Sequence, residues 1–354
     1  MPIIIRMKEI DTISEQVKRE LGLRFVETDT KLLNELRENI KHLPRTLDRQ
    51  ISLPIPPDEG FLEESLTASQ SKEIDRLLGE KYAGAAVQLQ DKLVNSVMIK
   101  ESGEKMVSLP LLFKSKNVPL SLSAVPFHEA CGEWAGKERV FWTRKSVAEK
   151  ILKAGEALCP LGIMLHLEDA FRPLGVQEGL FFRRVKLTLQ QHPDWAQDWE
   201  KVWAEARSKT AVSPFMAGHK SGAAVDVTLR RIDGTPLPLG NKYPEGGPKV
   251  AVRFPFVTQE EWSTRQLYTL TMEMSGLRIY PYENWHASFG DLSAGIAAFS
   301  DTEVTPNYNG IYGPIKGFDP KTGEVEPYSV DEYFEPFYTE DELRSGTSFV
   351  LTCS

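Results

Sequence analysis

Cysteine is scarce in this chain, which has only three cysteines among its 354 residues. They are Cys131, Cys159 and Cys353, and no two of them have the close spacing of a CxxC pair. Widely separated cysteines in an odd number argue against a disulfide framework, and the missing pairs argue against a thiolate metal site. The sequence therefore indicates a protein of a reducing compartment.

The chain also lacks an excess of basic residues and any long apolar run. Its net charge of -8 argues against a nucleic-acid binder, which would carry a basic surface. The apolar N-terminal run, residues 2–5, is soon followed by Lys8 and Glu9 and is too short for a signal peptide or a membrane span. We expect a cytoplasmic protein that binds neither nucleic acid nor membrane, and a homo-oligomer stays open.

What is present is the composition of a folded, soluble protein, with 41% hydrophobic and 26% charged residues. The length suits either one large domain or one domain with a substantial extension. Regular patterns are weak in the first hundred residues and clear from about residue 140 onward. We predict a partly helical N-terminal extension over 1–115, a main domain over 116–312 and an acidic C-terminal tail over 313–354.

Periodic apolar residues in the main domain predict both helices and strands. Helical spacing runs from an N-cap at Thr143 to Leu158, and a capping box at 258–261 opens a later helix. Leu109–Phe113 has the apolar character of a strand, and residues 162–169 alternate as strands do. Together these elements predict an α+β fold.

A second alternating stretch, residues 223–229, gives one carboxylate a defined direction. Val225, Val227 and Leu229 fall on one face of this predicted strand, and Asp226 falls on the other. A side chain that projects from a rigid strand is well placed to serve as a ligand.

Residues with metal chemistry lie around this strand. His219 and Asp226 are seven positions apart, on either side of a turn at Gly222, and His286 lies further along the chain. Zinc prefers two imidazoles and a carboxylate, whereas calcium and magnesium require more oxygen ligands. Three protein ligands also leave a coordination position open for water. We predict one zinc ion per chain on these three residues.

Two charged residues complete a candidate hydrolytic site. Glu283 is suited to act as general base toward the attacking water and then as acid toward a leaving amine. Since positions three apart point to opposite faces of a flat strand, the backbone must bend between Glu283 and His286. Arg172, which precedes Pro173, is expected to stabilise an oxyanion. A structural ion pair between Arg172 and Asp169 is the alternative.

Three short boxes carry these residues in a fixed order. They read Asp169-Ala-Phe-Arg-Pro173, then Ala217-Gly-His-Lys-Ser-Gly-Ala-Ala-Val-Asp226, then Glu283-Asn-Trp-His286 followed by Gly290-Asp291. As a set they resemble the boxes of the VanX-type zinc D-alanyl-D-alanine dipeptidases, within the LAS group of D-Ala-D-Ala metallopeptidases. The resemblance covers residues from about 120 to 312.

This resemblance implies a compact α+β zinc-peptidase domain with a central antiparallel sheet flanked by helices. It implies zinc on the two histidines and the aspartate, Glu283 as the base and Arg172 as the transition-state stabiliser. It further implies substrate contacts at four positions, which are Asp169, Phe171, Ser221 and Trp285. The chain lacks two hydroxyl groups of the family pattern, because Ala217 stands in place of a serine and Phe171 in place of a tyrosine.

The function expected from the sequence is zinc-dependent hydrolysis of a small D,D-dipeptide such as D-alanyl-D-alanine. The nearest alternative is a D,D- or L,D-carboxypeptidase or endopeptidase that acts on peptidoglycan stem peptides. An alternative of another class is a non-catalytic zinc-binding interaction module. The free carboxylate of Glu283 favours an enzyme, because a purely structural metal site needs no base.

Overall fold

A computed structural model describes the chain in several stretches. They are residues 98–245, 248–252, 254, 257–280, 282–294, 309–329, 332, 338–339 and 341–344. All the predicted site residues lie within these stretches, whereas most of the predicted N-terminal extension lies outside them.

Eleven strands and five α-helices lie wholly within the described residues, and residues 292–294 and 341–344 are also helical. The strands β1 to β11 are Met98–Ile99, Met106–Ser108, Leu120–Leu122, Trp142–Arg144, Ile163–Asp169, Ala224–Arg231, Arg278–Ile279, His286–Ser288, Asn309–Gly310, Ile315–Phe318 and Val325–Pro327. The helices α1 to α5 are Leu109–Ser115, Lys145–Leu158, Leu174–Gln191, Trp199–Lys209 and Gln259–Met274. Among these helices, none is both long and apolar enough to cross a bilayer.

A five-stranded sheet in the order β3-β5-β6-β8-β7 forms the centre of the fold. Strands β5, β6, β8 and β7 pair antiparallel, but the edge strand β3 runs parallel to β5. The predicted α+β class is confirmed, and the predicted antiparallel sheet is corrected to a mixed one. The parallel pair arises because β4 and α2 lie between β3 and β5 and provide the long crossover that parallel neighbours require.

One face of this sheet carries the main hydrophobic core. Val225, Val227 and Leu229 of β6 are fully buried in it, as their alternation predicted, and the apolar faces of α2 and α5 pack in the same cluster. Since the apolar side chains of β6 point toward these helices, Asp226 projects from the opposite face. The core thus fixes the direction of the carboxylate.

Two local predictions need correction. Leu109–Phe113 is part of helix α1, because Ser108 caps its N-terminus by accepting a hydrogen bond from the backbone N–H of Leu111. Helix α2 begins at Lys145, and Thr143, the predicted cap, belongs to β4, where it pairs with Val107 of β2. The capping box is confirmed, since the Thr258 side chain and the Glu261 side chain each bond to the other's backbone N–H.

The hairpin formed by β10 and β11 packs beside the Asp169–Pro173 box. Ile315 is buried in one cluster with Phe171, and the rings of Phe171 and Phe318 meet edge to face with centroids 5.4 Å apart. This hairpin falls in the segment that was predicted as an acidic tail. The boundaries at residues 115 and 312 stay predictions.

A buried arginine joins distant parts of the chain beneath the candidate site. The Arg144 side chain is inaccessible to solvent and donates to both carboxylate oxygens of Glu101, at 2.9 and 3.1 Å. It also donates to the backbone oxygens of Glu104, Ser221 and Gly313. Arg144 lies 77 positions from Ser221 in sequence, and through it the stretch that contains His219 is also joined to the segments around Glu101 and Gly313.

We predict that Arg144→Met lowers the free energy of unfolding by about 3–5 kcal/mol, because it leaves the partly buried Glu101 carboxylate without its charged partner. Chemical denaturation in the presence of a chelator measures this effect on the metal-free protein. Lys145→Met is the control, since the Lys145–Glu149 pair is exposed and should contribute less than about 1 kcal/mol. Equal losses in the two variants would contradict the structural role of Arg144.

Candidate metal and catalytic site

The turn before β6 places the first histidine. His219 lies in a short 3-10 helix, Gly218–Ser221, which ends at Gly222 with a φ of 70°. The positive φ favours glycine at this position, and a Cβ there would lie 2.6 Å from the sulfur of Met106, whose side chain would have to shift. Strand β6 starts two residues later and carries Asp226.

Strand pairing brings the second histidine to the same place. Asp226 of β6 and His286 of β8 are directly paired in the antiparallel ladder. Side chains of directly opposite residues lie close together on one face of a sheet. Asp226 and His286 are 60 positions apart in sequence. The pairing of β6 with β8 therefore brings their two boxes together.

His219, Asp226 and His286 converge as a buried group that could hold a metal ion, with one potential ligand atom from each within 4.8 Å of the others. Asp226 Oδ1 lies 3.3 Å from His219 Nε2 and 3.0 Å from His286 Nδ1. The two imidazole rings meet edge to face at 5.0 Å. The predicted ligands are thus brought together, although their role as zinc ligands stays a prediction.

The hydrogen bonding of His219 fits a cation at this point. Its Nδ1 lies 2.6 Å from the carbonyl oxygen of Ala170, which can only accept a hydrogen bond, so we assign the ring proton to Nδ1. In the neutral ring Nε2 then presents a lone pair toward Asp226 Oδ1. Two electron-rich atoms face each other favourably only when a proton or a cation lies between them. A backbone carbonyl on the far nitrogen is also the usual support of a metal-bound histidine.

Charges around Asp226 keep it ionised. Burial alone would raise its pKa, but the facing His219 and His286 hold the pKa well below the usual range. Burial on its own would lower the pKa of His286, but the hydrogen bond to Asp226 and the negative charges of Asp226, Glu283 and Asp291 together outweigh burial and raise the pKa. The carboxylate is therefore available as an anionic ligand at neutral pH.

The second oxygen of Asp226 has its own two donors. Arg172 Nη2 lies 3.1 Å from Oδ2, and the Tyr243 hydroxyl donates to the same oxygen at 3.0 Å. Burial and the negative charge of Asp226 raise the pKa of Tyr243 well above its usual value, so its phenol remains protonated and donates. Oδ1 and Oδ2 thus have separate sets of partners.

Arg172 is held by two carboxylates. Its Nε donates to Asp169 Oδ2 at 2.8 Å, and Arg139 Nη1 contacts the same oxygen at 3.1 Å. Burial opposes the charge on Arg172, but Asp169 and Asp226 raise its pKa above the usual value. The ion pair between Arg172 and Asp169, which was the structural alternative, is therefore present, and it leaves an oxyanion role open for the third nitrogen of the guanidinium.

Glu283 lies in the turn that connects β7 to β8. Its N–H donates to Tyr280 O, and the N–H of His286 donates to Glu283 O, so the backbone bends between the two residues as expected. Glu283 Oε2 lies 3.7 Å from His286 Nδ1. The loss of hydration in the site raises the pKa of Glu283, while the nearby His286 opposes this shift.

The four predicted substrate residues surround the site, and all four are buried. The Ser221 hydroxyl donates to Gly218 O and accepts from Ala223 N–H, so it closes the turn. The Trp285 ring packs edge to face against Tyr243, and Phe171 packs against the β10–β11 hairpin. Asp169 is engaged with two arginines. Substrate contact at these positions stays a prediction.

Tyr243 and Arg139 are the site residues that sequence reasoning missed. Tyr243 lies in the Gly- and Pro-rich stretch between β6 and α5, and Arg139 lies just before β4. Neither belongs to a box or to a periodic pattern. Only the spatial pairing with Asp226 and Asp169 identifies them, so no local signal could have assigned them.

A comparison with protein families agrees with this arrangement. Residues 133–303, just under half of the chain, match the model of the family described as D-ala-D-ala dipeptidase. The matched segment contains His219, Asp226, His286, Glu283 and Arg172. A search of curated proteins finds no match. Over residues 133–303 the chain is thus similar to the D-Ala-D-Ala dipeptidase family, and this similarity supports a peptidase of that superfamily.

Proposed function

We propose that the protein is a zinc-dependent peptidase that hydrolyses a small D,D-dipeptide such as D-alanyl-D-alanine. The observation that carries this proposal is the convergence of two imidazole nitrogens on one oxygen of Asp226, with the Glu283 carboxylate 3.7 Å from the second imidazole. The family match supports the substrate class, since that family is described by the same dipeptide.

His219, Asp226 and His286 are the residues that would hold the metal. Their nitrogen and oxygen donors suit zinc, and one carboxylate is too few for calcium. When bound in such a site, zinc polarises a carbonyl and lowers the pKa of a coordinated water to about 7.

Glu283 is the residue placed to move protons. Its side chain is 41% exposed, whereas the three proposed ligands have at most 7% of their side chains exposed. The carboxylate therefore borders the open side of the site. From this position it can take a proton from the attacking water and return it to the leaving amine nitrogen.

Arg172 supplies fixed positive charge next to this carboxylate and the ligands. Its Nε and Nη2 are engaged with Asp169 and Asp226, and within the described residues its Nη1 makes no hydrogen bond. We propose that Nη1 donates to the oxyanion that develops on the substrate carbonyl. The two ion pairs hold the guanidinium in place before the substrate binds, which is the condition for electrostatic stabilisation.

We predict that the purified protein retains about one zinc ion per chain and that His219→Ala loses it, because the variant removes one of only three ligands. Elemental analysis after dialysis measures the zinc content. His192→Ala is the control, since His192 lies at the end of α3 and stacks on Trp195. Unchanged zinc content in His219→Ala would place the metal elsewhere.

We predict that Glu283→Gln keeps the zinc and lowers kcat for D-alanyl-D-alanine by about 10²–10⁴-fold, since the amide cannot accept the proton. Glu149→Gln, in an exposed position of α2, should leave kcat unchanged. Full activity of Glu283→Gln would overturn the assigned base. A protein that binds zinc but hydrolyses no peptide would instead support the binding-module alternative.

The same assay separates the two peptidase alternatives. We expect free D-alanyl-D-alanine to give a higher kcat/KM than a stem peptide that ends in the same two residues. A preference for the longer peptide would favour a carboxypeptidase or endopeptidase.

We predict that Arg172→Lys lowers kcat by about 10²–10³-fold, because a lysine cannot hold both carboxylates and still donate to the oxyanion. Arg139→Lys is the comparison, since Arg139 contacts Asp169 but not Asp226. A different result would contradict the oxyanion role. If Arg172→Lys lost part of its zinc while the zinc-loaded fraction kept the wild-type kcat, Arg172 would support metal binding and not the oxyanion.

A further inference from the structure

We infer that Tyr243 is a positioning residue that orients the Asp226 carboxylate for metal binding. The inference rests on the proposed zinc site and extends it to a residue outside the three sequence boxes. Its basis is the hydroxyl of Tyr243, which donates to Asp226 Oδ2 at 3.0 Å, opposite the oxygen that faces the two histidines.

A carboxylate needs more than a fixed backbone to serve as a directed ligand. Strand β6 fixes the Cα and Cβ of Asp226, but the carboxylate can still rotate about its last bond. Oδ2 is held against this rotation by the Tyr243 hydroxyl and by Arg172 Nη2. With Oδ2 held by two donors, Oδ1 keeps its position between His219 and His286. Such contacts to the outer atoms of ligands usually control metal affinity.

The ring of Tyr243 is itself held by packing. It meets the Trp285 ring edge to face at 5.5 Å, and the guanidinium of Arg139 lies 6.0 Å from its centroid. Arg139 is anchored in turn by Asp169 and by the backbone oxygen of Val125. The hydroxyl therefore points to Asp226 from a ring that is fixed on two sides.

The loop that carries Tyr243 is fastened at its base by a buried arginine. Arg265 of α5 is inaccessible to solvent and donates to the backbone oxygens of Leu239, Lys249 and Ala251 and to the side chain of Asn241. Gly240, with a φ of 81°, turns the chain between Leu239 and Asn241, two of the residues that Arg265 contacts.

The same loop is joined to the turn that carries Glu283 and His286. Asn284 Nδ2 donates to Asn241 Oδ1 at 2.5 Å. Tyr243 thus stands on a segment that is fixed relative to both the Asp226 strand and the His286 turn. A residue that orients a ligand must be held in this way. A surface loop whose tyrosine touched Asp226 only by chance would not need these contacts.

The test is Tyr243→Phe, which keeps the packed ring and removes only the hydroxyl. We expect the zinc dissociation constant, measured by competition with a chromophoric chelator, to rise about 10–100-fold. The thermal stability of the metal-free protein should change little compared with the loss of zinc-induced stabilisation. Kinetics at saturating zinc then measure kcat and KM of the loaded enzyme separately.

Tyr312→Phe is the matched control. Its hydroxyl also donates to a carboxylate, Glu104 Oε2 at 2.6 Å, and its ring is also buried, but Glu104 is no proposed ligand. We expect this variant to lose stability in the metal-free state and to bind zinc as the wild type does. A purely structural role for Tyr243 would give the same result for both variants.

The possible failures are distinguishable. If the wild type binds zinc tightly, His219→Ala does not, and Tyr243→Phe matches the wild type, the inference about Tyr243 is wrong and the zinc site stands. If the wild type binds no zinc, or His219→Ala binds it equally well, the proposed site fails and the inference fails with it.

Discussion

The carboxylate of Asp226 is the group on which the site depends. It is almost fully buried and carries a negative charge, and a buried charge is tolerated only when it is paired and hydrogen-bonded. Its partners come from four parts of the chain, which are the turn before β6, strand β8, the segment after β5 and the loop that contains Tyr243. Each part must therefore be in place before the cost of burying Asp226 is offset, so the site and the fold around it form together.

A second carboxylate explains why two arginines are present. An irregularity between Leu167 and Asp169 shifts the β5–β6 register and sets Asp169 opposite Asp226. Two carboxylates on neighbouring strands repel each other, and in a buried place this repulsion is large. Arg172 contacts both carboxylates and Arg139 contacts Asp169, so the charges of the four side chains balance. A cation among the ligands would then add positive charge that can attract a developing oxyanion.

Local patterns predicted those features whose physical cause is local. The alternation of β6 follows from burial of one sheet face, so Val225 and Asp226 could be assigned to opposite sides. The capping box at Thr258 and Glu261 is likewise closed within four residues. The strand predicted for Leu109–Phe113 is wrong because a short apolar run does not distinguish a strand from a helix. The helix is selected by its N-cap, the single hydroxyl of Ser108. The parallel pairing of β3 and the place of Tyr243 depend on contacts between distant segments, which no local pattern contains.

The sequence also could not show how much the site residues differ in solvent exposure. The side chains of His219, Asp226 and His286 are at most 7% exposed, while that of Glu283 is 41% exposed, only three positions from His286. The bend that joins β7 to β8 produces this difference, since it turns Glu283 out of the strand and leaves His286 inside it. Ligands benefit from burial because rigid surroundings fix their geometry. A group that exchanges protons with water and with a leaving amine must reach the open side. One short turn therefore gives two residues of a single box, three positions apart, the separate environments that the proposed metal binding and proton transfer would require.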